Sequence, residues 1–208
     1  LNPSTGMFPG SIHVRRESLI AVLADCLISY RKFGFARLLV LNHHGDPEHN
    51  DAVMEAIRNV RAQGVDAICV MGGFQRQFIT EAYAAAYRQP LPLPPEALIV
   101  AEDSPETAEA RRRLTLSAFH CHAEERETSM IMRYFPELLA HDVDVKSLRP
   151  VIPTPEEFAA ATGGGRWREV SPLGYIGDPS VATPENGELY ALECQDIARA
   201  INRFLARQ

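Results

Sequence analysis

Nine consecutive residues, Asn42-His43-His44-Gly45-Asp46-Pro47-Glu48-His49-Asn50, contain three histidines and two acids. Imidazole and carboxylate together are the usual donor set for a borderline divalent metal ion. A lone histidine is more often a satisfied structural residue, but a cluster directly after a short apolar run is harder to assign to packing. A second cluster is His120-Cys121-His122-Ala123-Glu124-Glu125-Arg126-Glu127-Thr128-Ser129. Its acids have an ordinary explanation as favourable charges at a helix N-terminus. That explanation does not cover His120 and His122, which fall on the same side of an extended segment. Two such clusters predict convergence on one metal centre, where a bound cation acidifies water and polarises a carbonyl. A third motif, residues 171–183 with Gly174, Gly177 and Asp178, reads on its own as a turn before a helix, Asp178 capping a local backbone group.

The surrounding elements are legible from periodicity. Leu19, Ile20, Leu23, Cys26, Leu27 and Tyr30 mark an amphipathic helix over 17–33, closed by Gly34. Arg37–Leu41 is a continuous apolar run and reads as a strand buried on both faces. Val53, Ala56, Ile57 and Val60 mark a second helix over 47–63, and Val65–Met71 a second strand. Helix, strand, helix, strand with short connections defines an α/β fold with a mostly parallel sheet. A helix is expected over 75–88, and the proline-rich 89–95 as an extended or protruding connection. Leu98–Val100 is a short strand. Ser104 caps a helix to Leu116 with Pro105 at its first position. Glu125–Leu139 is a further helix and Pro184–Leu205 the last, capped by Thr183. Residues 141–183 are less regular. In open parallel sheets, ligands gather beyond the carboxyl ends of the strands, where the first cluster stands.

Composition narrows the function classes. The chain has 208 residues, 46% of them hydrophobic, enough for one sizeable core. Its 27 acids outnumber 21 bases, a formal charge of −6. That disfavours an electrostatic grip on nucleic acid or anionic membrane. Arg111-Arg112-Arg113 is the one basic run and reads as solvated helix surface. No apolar stretch approaches a membrane span, and the start of the chain has no signal-peptide pattern. The four cysteines lack CxxC spacing; Cys26, Cys69 and Cys194 read as small buried hydrophobes, and a reducing cytoplasm is the expected setting.

The three motifs, in this order, resemble the creatininase (creatinine amidohydrolase) family. Asn42-His43-His44-Gly45-Asp46 with Asn50 is similar to its Asn-Gly-His-Gly-Gly-Asn segment. His122-Ala123-Glu124-Glu125-Arg126-Glu127-Thr128-Ser129 is similar to its His-Ala-Gly-x-x-Glu-Thr-Ser segment. Gly177-Asp178-Pro179-Ser180-Val181-Ala182 resembles its Gly-Asp-Pro-x-x-Ala element, and Phe8-Pro9-Gly10-Ser11-Ile12 its Phe-Pro-Gly-Thr-Ile stretch. The resemblance implies a three-layer sandwich with a central sheet flanked by helices, over a single domain, 1–208. It implies a metal-dependent amidohydrolase acting on an amide or cyclic amide C–N bond of a small molecule. The implied cofactor is a divalent metal, Zn or Mn, two per site, with no organic cofactor. His44 matches a metal-binding histidine, and Asp46 falls where the family has a metal-binding glutamate. His122 matches the histidine that shuttles protons to the leaving nitrogen. Glu127 matches a site glutamate, as a ligand or a partner of the catalytic group. A homo-oligomer, a hexamer in many family members, is implied, with the 89–95 loop as one contact.

The departures carry information too. His43 and Glu124 stand where the family has glycine, and Pro47-Glu48-His49 resembles an insertion. These changes crowd the entrance and point to a substrate other than creatinine. The family's N-terminal segment, Glu-x-His with a following Asp, supplies half of its ligands; residues 1–16 hold no glutamate and one histidine, His13. The expectation is therefore a chain without that segment, and a non-catalytic binding or assembly subunit is the competing reading. A nucleotide-binding domain using Met71-Gly72-Gly73 is the weakest, since no phosphate-binding lysine follows.

Overall fold

The computed structural model describes residues 6–73, 75–76, 80, 93–117, 119–162 and 165–207. The helix expected over 75–88 and most of the 89–95 connection fall outside them. Residues 13–102 and 194–208 form one compact unit; residues 3–12 and 103–193 form another.

The first unit is built on a parallel sheet of β1 (Arg37–Asn42), β2 (Asp66–Met71) and β3 (Leu98–Val100), in that order. Alternation along β2 divides its side chains between two cores. Ala67, Cys69 and Met71 pack with Leu27 of α1 (Arg16–Lys32) and with Val53, Met54, Ile57 and Val60 of α2 (Pro47–Arg61). Ile68 and Val70 pack on the other face with Ile197, Ala200, Ile201 and Phe204 of the last helix. Helix, sheet and helix are the three layers that the resemblance implies. One expectation about β1 fails. Leu41 is 62% exposed, because β1 is the edge strand of the described sheet and the core on that face is built on β2 and β3.

The second unit contains α3 (Pro105–Arg113), β4 (His120–His122), α4 (Glu125–Tyr134), α5 (Pro155–Thr162), α6 (Trp167–Val170) and β5 (Ile176–Gly177). Residues 184–193 of α7 (Pro184–Leu205) belong to it as well. Strands β4 and β5 pair antiparallel, with an irregularity between His120 and His122. Ser104 accepts from the Thr107 backbone N–H at 3.3 Å and Thr183 from that of Asn186 at 3.0 Å, so both expected caps form. α3 stops at Arg113, where Leu114 turns extended, and α4 at Tyr134, just before Pro136. The irregular 141–183 region holds the two short helices α5 and α6. Arg111 pairs with Asp103 and Glu193, and Arg112 with Glu109, so the basic run is a compensated helix end. Among the described residues no helix is long and apolar enough to cross a membrane.

The cysteine reading needs correction. Cys69 is buried, but Cys26 and Cys194 are exposed; Cys26 shares its helix face with Val22 and Tyr30, which are exposed as well. Burial pushes the Cys69 thiol up to about 12; burial, then the Glu124 and Glu127 charges, do the same for Cys121. Thiolate is the reactive form. Iodoacetamide added to the native protein at about pH 8 is therefore expected to modify Cys26 and Cys194 and to spare Cys69 and Cys121, as peptide mass spectrometry would read. Alkylation of Cys69 at the rate of Cys26 would contradict this burial.

Candidate functional site

The first cluster begins where β1 ends. Asn42 is buried, and its side-chain amide donates to Asn50 Oδ1 at 2.5 Å while its own Oδ1 accepts from the His44 backbone N–H at 3.1 Å. Asp46 is the N-cap of α2, accepting from the His49 N–H at 3.0 Å, and Pro47 takes the first helical position. The His44 and His49 rings meet edge-on, 4.9 Å apart. Gln75 is fully buried; it accepts from the Gly72 N–H and donates to the His44 carbonyl. A Cβ on Gly72 would lie 3.2 Å from the His43 ring, so that glycine makes room for His43. The Asn50 side-chain nitrogen is buried without an acceptor among the described residues. The loop is thus held from both sides, with a donor left over.

The second cluster spans β4 and the start of α4. The His122 ring stands edge-on against the buried Trp167 ring, centroids 5.6 Å apart, and the Trp167 indole N–H donates to the Gly174 carbonyl at 2.8 Å. Ala123 takes a left-handed φ of +47°, sparsely populated for a residue with a side chain. Its N–H donates to Glu127 Oε2 at 2.5 Å, so Glu127 reaches back to fasten this turn. Glu124 caps α4 by accepting from the Arg126 N–H. The electrostatic role of these acids at a helix start is therefore real, but it is not their whole role.

His120 Nδ1 lies 2.8 Å from Glu124 Oε2, and donor atoms of His120, Glu124 and Glu125 all lie within 4.8 Å of one another. Glu124 is 2% and Glu125 0% exposed. The hydrogen bond to Glu124 raises the His120 pKa, with partial burial working against it and the Glu124 and Glu125 charges adding to it. Among the described residues this is the group of three convergent donors that can hold a metal ion. None of His44, Asp46, His122 or Glu127 is in it. His44 and Asp46 belong to the first unit, His122 and Glu127 to the second. His120 and His122 meet different partners, the Glu124 carboxylate and the Trp167 ring.

The chain has an α/β fold with a parallel sheet between helices, and the creatinine amidohydrolase profile matches residues 2–201. The chain belongs to the creatininase family. Among solved structures it is similar to a tryptophan-to-phenylalanine mutant creatininase of Type II, with 20% identity, a TM-score of 0.57, and coverage of 95% of this chain and 67% of that one. A glutamate-to-glutamine mutant creatininase complexed with creatine matches at 18% identity and a TM-score of 0.57, covering 96% and 69%. A structure described as "Creatininase Mn" matches at 21% identity and a TM-score of 0.52, covering 95% and 67%. The chain thus spans about two thirds of these relatives. No curated protein matches it significantly.

Proposed function

We propose that this protein is a metal-dependent amidohydrolase that opens an amide or cyclic amide C–N bond of a small molecule. The observation that carries the reading is the family match over residues 2–201; His122 ends β4 and Glu127 lies in the first turn of α4. Manganese and zinc forms of creatininase are among the structural neighbours. The donors here, imidazole and carboxylate, fit such cations. In this reading His44 and Asp46 hold metal, with Glu127 as a further ligand or as the group that positions His122.

A bound divalent cation would supply carbonyl polarisation and acidified water. His122 carries a proton to the leaving nitrogen, its ring oriented by Trp167. The orphaned Asn50 amide offers a hydrogen bond to an acceptor in the first-unit loop. His43, Glu124 and the crowding they bring favour a substrate different from creatinine. A cytoplasmic homo-oligomer, of hexameric type, completes the proposal.

The test is hydrolysis of a panel of cyclic and linear amides, creatinine included, by zinc- or manganese-loaded protein, with ring-opened product read by mass spectrometry. Absence of turnover across the panel would shift the reading to a binding or assembly subunit. His44→Ala is expected to lower the metal content of the purified protein, measured by inductively coupled plasma mass spectrometry. An unchanged metal count would remove the 42–50 loop from the site.

A further inference from the structure

We propose that His120, Glu124 and Glu125 form a divalent-cation site of their own, wholly within the second unit. The inference rests on this chain's side chains and stands whether or not the hydrolase reading does. Glu124 and Glu125 are neighbours in sequence, both almost fully buried, with carboxylate oxygens close together. Two like charges in a desolvated place repel, and burial of an ionised carboxylate is costly unless it is paired. Glu124 is paired with His120, and among the described residues neither acid has a lysine or arginine partner. The Arg126 side chain, next in sequence, pairs with Glu193 at 2.6 Å and lies over the Tyr190 ring. His120 is the one nitrogen ligand in reach, and its side chain is 40% exposed, which leaves an entry path from solvent.

The surroundings orient these donors. Glu125 Oε1 accepts from Ser129 Oγ at 3.0 Å and from the Asn186 amide at 2.8 Å, and the Tyr190 hydroxyl lies 3.5 Å from Oε2. Ser129 is itself fixed by the Thr183 N–H. Partners of this kind hold metal-binding carboxylates in place. Glu124 is seated against Gly177: a Cβ there would lie 2.5 Å from Glu124 Cβ. Room for the Glu124 side chain is therefore built into β5. Ligand bonds of about 2.0–2.2 Å to a divalent ion bring donors to roughly 3–4 Å separation, so small side-chain shifts suffice from the observed spacing. One imidazole and two carboxylates favour zinc or manganese over calcium, which takes oxygen ligands only.

The experiment strips the full chain with chelator, desalts it, and titrates Zn²⁺ and, separately, Co²⁺, reading bound metal per chain and the Co²⁺ absorption spectrum. Glu124→Gln and His120→Asn, with folding checked by circular dichroism, are each expected to lose one equivalent, or to bind it at least about 100-fold more weakly, beyond the effect of losing an outer partner. Ser129→Ala is expected to retain the equivalent with about 10-fold weaker binding. His44→Ala, whatever metal it loses at the 42–50 loop, is expected to keep the equivalent and the Co²⁺ band that Glu124→Gln and His120→Asn lose. The proposal fails if the wild-type chain binds no metal, or if Glu124→Gln and His120→Asn bind as wild type does. Loss of the equivalent in His44→Ala alone would also overturn it, while leaving the hydrolase reading in place.

Discussion

Replacing His122 with alanine is expected to lower amide turnover by about 10²–10⁴-fold, the range for a positioned general acid or base, with bound metal unchanged. The two histidines of β4 differ in how they are held. His120 is tied through Nδ1 to the buried Glu124 carboxylate. His122 makes an edge-on contact with Trp167, and no hydrogen bond of its ring is found among the described residues. A ring fixed by an aromatic wall, with its nitrogens uncommitted, can pass a proton to a substrate. The wall is rigid because the Trp167 N–H is itself bonded to the Gly174 carbonyl. Steady-state kinetics and metal analysis of the same preparation make the check. His122→Gln, which keeps polarity without the acid–base function, is expected to behave like alanine. Equal loss of metal and turnover would make His122 a ligand and remove the proton-transfer role.

Sequence made some of this site legible and hid the rest for physical reasons. α2 is readable because Val53, Ile57 and Val60 recur at helical spacing and Asp46-Pro47 is a cap followed by a first-turn proline. β2 is readable because its apolar run is buried on both faces. The exposure of Leu41 was not readable, since an apolar run does not say whether its strand is central or at an edge. Ser104 and Thr183 announced their helices, whereas α5 and α6 are too short for periodicity to show. His44, Asp46, His122 and Glu127 are proposed from motif positions alone. The convergence of His120, Glu124 and Glu125 does not follow from such positions, because acids at a helix start are common and their second role depends on burial. The missing signal was a glycine far along the chain: Gly177 sits in a turn-rich motif, and only the β4–β5 register places it against Glu124.

That contact leads to the second large effect. Gly177→Ala is expected to destabilise the protein by about 2–5 kcal/mol, combining backbone strain with overpacking. Gly177 has φ of +130°, a region residues with a side chain avoid. The added methyl would lie 2.5 Å from Glu124 Cβ, 2.8 Å from Cγ and 2.9 Å from the Phe119 carbonyl oxygen. Gly177 is also bonded to Val151 through both its N–H and its carbonyl, each at 2.8 Å, so the backbone cannot swing aside without breaking that bridge. For a chain of this size the loss corresponds to a fall in Tm of roughly 5–15 °C, measurable by calorimetry. Gly165→Ala is the control: φ is +66° there, but nothing lies within 4 Å of the new methyl, so only the strain remains, about 1 kcal/mol. Relief of the clash must move Glu124, so Gly177→Ala is expected to weaken Zn²⁺ binding as well as the fold, whereas Gly165→Ala leaves binding intact. Equal Tm values for the two variants would show that Glu124 is not seated on Gly177.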